Sequence, residues 1–140
     1  MNAYFDTSAI VKLVVAEEAS EVADAAWDTS DLVATTRLTY AEARAALAAA
    51  RRSGRLTPAA LDESKNELER RFEGLDLIEV TGGVVRSAGD LADRHGLRGY
   101  DAVHLASALA AGASDFVLVT WDRELTRAGR TEGMAISGVG

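Results

Sequence analysis

The feature that most constrains this chain is a rhythm: short apolar runs of strand length alternate with longer stretches whose apolar residues recur at helical spacing. The runs are Asn2–Phe5, Leu32–Thr36, Leu75–Val80 and Asp115–Thr120. The first, second and fourth read as buried strands, whereas Asp76 and Glu79 place the third nearer a sheet edge. Strands alternating with helices in one short chain predict an α/β fold, a three-layer α/β/α sandwich around a mainly parallel central sheet. The 140 residues are expected to form a single domain, 1–140, with no internal repeat or linker.

The helical stretches carry their own punctuation. A first helix is expected from Ser8, with Ile10, Val11, Val14 and Val15 on one face. A second runs from Glu17 to Trp27, before the polar turn Asp28–Asp31. An Ala-rich helix from Leu38 to Arg52 stops at Ser53-Gly54. Its small-residue run, Ala45–Ala50, suits either close approach of another helix or an ordinary packed core. Thr57-Pro58 sets an N-cap and a first-turn proline for a helix to Phe72. Helices over Val84–His95 and Asp101–Ala111 end at Gly96 and Gly112, and Gly82-Gly83 reads as a turn. A short helix from Arg123 to Ala128 precedes Met134–Ile136, a candidate edge strand, and a Gly-rich end expected to fray.

Composition excludes several classes of function. No apolar run reaches the roughly 20 residues of a membrane span, and no basic n-region with an apolar core marks a secretory signal. There are no cysteines, which removes disulfides and thiolate metal sites and fits a cytoplasmic protein. A net charge of −7 argues against coating nucleic acid by bulk electrostatics. It leaves room for an enzyme that neutralises an acidic cleft with metal and grips phosphate through a few cations. With Lys12 and Lys65 the only lysines, those cations are arginines: Arg37, Arg44, Arg51, Arg52, Arg94 and Arg98 are candidates, each with a solvated helix face as its simpler explanation.

Carboxylates fall where such a cleft would need them. Asp6 ends the first strand, Asp122 lies just past the fourth, and Glu42 and Asp101 stand in the first turns of helices that follow loops. In an open parallel sheet the carboxyl edge is where ligands and reacting groups gather. Hard cations such as Mg²⁺ and Mn²⁺ take oxygen ligands, a few carboxylates completed by water and substrate phosphate. Each acid also has a structural explanation. Asp6 is a potential N-cap, although Ser8 can take that role. Thr39-Tyr40-Ala41-Glu42 has the spacing of a capping box. Asp101 complements a helix macrodipole, and Asp122 can cap the last helix. Asp101 shares its face with His104 and Leu105 among small apolar residues, as a cleft wall does. His104 reads as a hydrogen-bonded core histidine and His95 as a cap on the carbonyls of its helix end.

Taken in order, Tyr4-Phe5-Asp6-Thr7-Ser8-Ala9, Glu42, Leu97-Arg98-Gly99-Tyr100-Asp101-Ala102-Val103-His104-Leu105-Ala106 and Thr120-Trp121-Asp122 resemble a PIN-domain ribonuclease. The nearest group is the VapC toxins of bacterial and archaeal toxin–antitoxin pairs. The resemblance covers nearly the whole chain. It implies an endoribonuclease that uses Mg²⁺ (or Mn²⁺), with Asp6, Glu42, Asp101 and Asp122 as metal ligands and Ser8 and Thr120 as hydroxyl support. It also implies an RNA substrate, a homodimer, and a cognate antitoxin whose C-terminal segment fills the active-site groove. Metal in such enzymes activates the attacking water.

Two other readings share the early Asp. A phosphatase of the haloacid-dehalogenase type wants a second Asp two residues on, where this chain has Ser8; a receiver domain wants a Lys after the last strand, which Lys12 and Lys65 do not supply. A catalytically silent binding module of the same fold is the alternative from another class, and intact acids at all four positions count against it.

Overall fold

The computed structural model describes residues 1–138. Strands β1 (Asn2–Phe5), β2 (Leu32–Thr36), β3 (Asp76–Ile78), β4 (Phe116–Thr120) and β5 (Ala135–Gly138) form one five-stranded sheet in the order β3-β2-β1-β4-β5, every pairing parallel. Seven helices among the described residues supply the crossovers: α1 (Thr7–Val14), α2 (Ser20–Thr29), α3 (Thr39–Arg52), α4 (Pro58–Glu73), α5 (Gly82–His95), α6 (Gly99–Gly112) and α7 (Arg123–Thr131). The chain builds outward from β1 to β3, then returns to the other side of β1 with β4 and β5. The switch point therefore lies between the carboxyl ends of β1 and β4.

Strand alternation divides the core between the two faces of the sheet. Ala3 and Phe5 of β1, with Val33 and Val119, pack under α1 to α4 around Ile10, Leu13, Leu47 and Leu68. Tyr4, with Ala34, Phe116 and Leu118, packs under α5 to α7 around Leu91, Leu105 and Leu125. Leu47 and Leu105 are fully buried, and truncating either to Ala costs about 2–5 kcal/mol. The alanine run of α3 serves this core, with Ala43, Leu47 and Ala50 inward and Ala45 outward. Gly129 lets α7 settle on the sheet, since a Cβ there would stand 2.9 Å from Leu118 Cδ2. No described helix is long and apolar enough to cross a membrane.

The expected elements are present, with informative shifts. Helix α1 begins at Thr7, not Ser8, because Asp6 is its N-cap and accepts from the Ala9 amide at 3.0 Å. Helix α2 starts at Ser20, three residues later than periodicity suggests; the chain turns first through Ala19, a left-handed residue at φ 65°. Gly82 and Gly83 belong to the first turn of α5, capped by Thr81, rather than to a turn. Strand β3 is shorter than Leu75–Val80 and lies at the edge, as its acids suggested. The candidate edge strand exists as β5, and the last two residues of the Gly-rich end fall outside the described part.

Candidate active site

At the switch point the buried carboxylate of Asp6, only 4% exposed, is fastened by two hydroxyls. Ser8 Oγ donates to Asp6 Oδ1 at 2.6 Å and accepts from the Trp121 amide at 2.9 Å. Thr120 Oγ1 donates to Asp6 Oδ2 at 2.5 Å and accepts from the Asp122 amide at 3.0 Å. Each hydroxyl thus clips the loop after β4 to the acid after β1. Burial pushes the Asp6 carboxyl above its usual range; the pull of His104 and the bonds from Ser8, Thr120 and Ala9 oppose that rise without cancelling it.

Glu42 forms the second part of the site. No capping box forms: the cap position of α3 is Leu38 with no side-chain bond, and Thr39 Oγ1 pairs with Thr35 Oγ1 at 2.6 Å. Glu42 instead turns into the cleft, where Oε1 accepts from Thr7 Oγ1 at 2.7 Å and meets His104 Nε2 at 2.7 Å. Partial burial raises the Glu42 carboxyl, but the His104 and Thr7 contacts outweigh burial and hold it below the usual glutamate range. Behind it, His104 Nδ1 lies 2.9 Å from the Tyr4 hydroxyl, which accepts from the Thr36 amide at 3.1 Å. His104 is the buried, hydrogen-bonded histidine its position implied, and its partner is a site carboxylate.

Asp101 and Asp122 face the opening. Asp101 stands in the first turn of α6 and makes no cap; its Oδ2 accepts from Arg98 Nε at 3.1 Å. Asp122 caps α7 through Oδ1, which accepts from the Leu125 amide at 2.8 Å, while Arg98 Nη2 lies 3.9 Å from its Oδ2. Asp101 and Glu42 line one groove of about 640 Å³, walled by Val85, Ala88, Ala92, Tyr100 and Val103. The placement of Asp101 on a cleft wall is therefore as expected.

The four acids are brought to one edge as linked pairs rather than as a closed cage. Asp6 and Asp122 share Thr120, Asp101 and Asp122 share Arg98, and Glu42 and Asp101 share the groove. Among the described residues, no three His, Asp or Glu side chains sit close enough together to hold one ion. The donor set itself, all carboxylate oxygens, is that of a hard cation. Arg98, an exposed side chain, lies between Asp101 and Asp122 at the opening.

Of the other arginines, Arg37 pairs with Glu79, Arg44 donates to Tyr40 and Arg94 to Glu132; Arg51 and Arg52 are exposed at the far end of α3. None of these contacts a site carboxylate; Arg98 does. Lys12 is engaged by Glu17 and the Glu18 carbonyl, away from a receiver-like role. His95 does not cap carbonyls: its Nε2 meets Glu132 at 2.7 Å, and Arg127 takes the His95 carbonyl. Sequence reasoning missed Thr7 and Tyr4. Thr7 was visible as the hydroxyl between Asp6 and Ser8, whereas Tyr4 signalled only an apolar strand residue.

An all-parallel sheet with carboxylates at its switch point is the architecture a family comparison identifies. The PIN domain family model matches residues 3–131, and the chain belongs to that family. Ribonuclease VapC45 and Ribonuclease VapC49 of Mycobacterium tuberculosis are each 44% identical to it over 134 residues, 96% of this chain and 93% of each relative. Among solved structures, PAE2754 from Pyrobaculum aerophilum superposes with a TM-score of 0.70 at 25% identity, covering 97% of this chain and 89% of that one. VapBC2 from Rickettsia felis, bound to a DNA fragment from its promoter, matches with a TM-score of 0.67 over 100% of both chains; at 14% identity the likeness is one of fold.

Proposed function

We propose that this protein is an endoribonuclease toxin of the VapC type, dependent on Mg²⁺ or Mn²⁺, that hydrolyses RNA phosphodiester bonds and is silenced by a cognate antitoxin. The observation that carries the reading is Asp6: a carboxylate buried at the switch point and held by two hydroxyls, on the edge that also carries three further acids. The 44% identity to named ribonucleases over nearly the whole chain supports the same substrate class. The toxin–antitoxin systems named among the structural relatives support a protein partner; a homodimer acting in the cytoplasm completes the proposal.

Asp6, Glu42, Asp101 and Asp122 would hold the metal. When bound, it supplies an activated water and offsets the negative charge that develops on the phosphate. The chain's own residues do the rest. Ser8 and Thr120 fix both oxygens of Asp6, and Thr7 fixes one oxygen of Glu42, so the ligands are pre-oriented. Arg98, freed from the acids, is the cation placed to meet a phosphate at the mouth of the cleft.

The test is incubation of purified protein with total cellular RNA, with Mg²⁺, with chelator, and as the Asp101→Asn variant. Discrete fragments in the Mg²⁺ lane of the wild type alone are expected. Cleavage that persists in chelator or in the variant contradicts the assignment. In cells, Asp6→Asn and Asp101→Asn are expected to lose toxicity with the fold intact.

A further inference from the structure

Five elements of the fold meet in one buried row of hydrogen bonds that ends on Glu42. The Thr36 amide of β2 donates to the Tyr4 hydroxyl of β1 at 3.1 Å, and that hydroxyl lies 2.9 Å from His104 Nδ1 on α6. His104 Nε2 lies 2.7 Å from Glu42 Oε1 on α3 and 3.1 Å from Thr7 Oγ1 on α1. Directions follow from what each atom can give. The Glu42 carboxylate can only accept, and Nδ1 is closed off by the Tyr4 hydroxyl. The ring proton therefore sits on Nε2, where Glu42 Oε1 accepts it, and Thr7 adds a second donor to the same oxygen at 2.7 Å. Tyr4 and His104 are 0% and 2% exposed, and they cross edge to face with ring centroids 6.0 Å apart, so neither has room to rotate.

From this geometry we infer that Tyr4 and His104 are positioning residues for metal capture: they lock the Glu42 carboxylate so that Oε1 is consumed by the protein and Oε2 alone is presented to the cation. The inference rests on the reading of Glu42 as a metal ligand. An oriented carboxylate with one oxygen committed suits an ion that demands near-ideal octahedral geometry and tolerates few bidentate ligands. Outer partners that fix a ligand in this way are commonly worth about 10- to 100-fold in metal affinity. Tyr4 and His104 are buried away from the surface, so their effect falls on metal binding and on turnover, not on substrate affinity.

The test uses the full chain and Mn²⁺ alone, by calorimetric titration, followed by cleavage kinetics on RNA. His104→Leu removes the donor to Glu42, His104→Gln restores an N–H at the reach of Nε2, and Tyr4→Phe removes only the far lock. Expected results are a loss of Mn²⁺ affinity of about 10-fold or more in His104→Leu, recovery of most of it in His104→Gln, and an intermediate loss in Tyr4→Phe. Across the series kcat falls and KM for RNA stays constant. Wild-type affinity in folded His104→Leu overturns the inference while leaving the ribonuclease reading intact. If His104→Leu does not fold, Tyr4→Phe decides it in the same way, by its Mn²⁺ affinity. A wild type that binds no Mn²⁺ overturns the metal reading itself, and the inference with it.

Discussion

Two buried histidines in this molecule make the same bond in opposite settings. His104 and His95 each place Nε2 2.7 Å from a glutamate, Glu42 at the carboxyl edge of the sheet and Glu132 beyond α7. Glu132 is shared with Arg94, so its charge is met twice and the pair ties the end of α5 to the end of α7. Among the described residues Glu42 pairs with no arginine. It stands on the edge that carries Asp6, Asp101 and Asp122, where Arg98 meets two of the acids. One pair is closed and neutralised; the other is an open, acidic surplus. A histidine–glutamate bond is therefore not functional by itself, and the uncompensated charge around it marks the site.

Exchanging the two glutamates breaks the comparison most sharply. Glu42→Gln is expected to lower RNA cleavage by about 100-fold or more, whereas Glu132→Gln leaves it unchanged; initial rates on a defined RNA check both. Next in size is the response to metal. A cation that binds only the native state at a hundredfold excess over its Kd adds about 2.7 kcal/mol. Saturating Mn²⁺ should accordingly raise the melting temperature of the wild type and of Glu132→Gln alike, and that of Glu42→Gln by less. An unshifted wild-type melting curve contradicts the clustered site.

Stability without metal does not separate the two glutamates. Removing the charged acceptor of two donors in Glu132→Gln costs roughly 1 kcal/mol, discounted for partial exposure. Glu42→Gln is expected to cost a similar amount, since His104 and Thr7 lose a charged acceptor in the same way; urea midpoints measured with chelator check both.

The smallest effect is the pH dependence, where Asp6 and Glu132 have opposite sign. The bond from His95, then Arg94, holds the Glu132 carboxyl below the usual range. Its contribution is present above the ordinary glutamate pKa and is lost as pH falls through the lowered folded value. Burial holds Asp6 above its usual range, so its contribution is present below the ordinary aspartate pKa and is lost as pH rises through the raised folded value. Below the raised folded pKa of Asp6 metal competes with its proton, so Mn²⁺ stabilisation should grow as pH rises through that value. Urea midpoints against pH, with and without Mn²⁺, read both trends.

Much of this was legible in the sequence because the fold is built from period and punctuation. Alternating apolar runs and helical stretches placed all five strands, and Thr57-Pro58 and Gly96 set helix ends where the structure has them. Boundaries failed where a side chain chose between two local partners. Asp6 capped α1 ahead of Ser8, and Thr81 drew Gly82 and Gly83 into α5. The six candidate residues lie on one edge because parallel topology collects strand ends there. Their pairing was not legible: the Glu42 capping-box spacing was real, but Thr39 found Thr35, leaving Glu42 for His104, a contact 62 residues away in the chain. Tyr4 was hidden for a related reason, since an inward tyrosine on a strand announces its ring and not the partner of its hydroxyl.

The central claim, that the carboxyl edge of this sheet gathers a divalent cation, is tested most directly by crystals of the protein soaked in Mn²⁺ and measured for anomalous scattering. The account predicts a peak at the switch point with carboxylate oxygens of Asp6, Glu42, Asp101 or Asp122 at about 2.0–2.2 Å, Glu42 contributing Oε2 alone and Arg98 swung clear. A peak elsewhere, or none at saturating Mn²⁺ with the four acids unmoved, contradicts it.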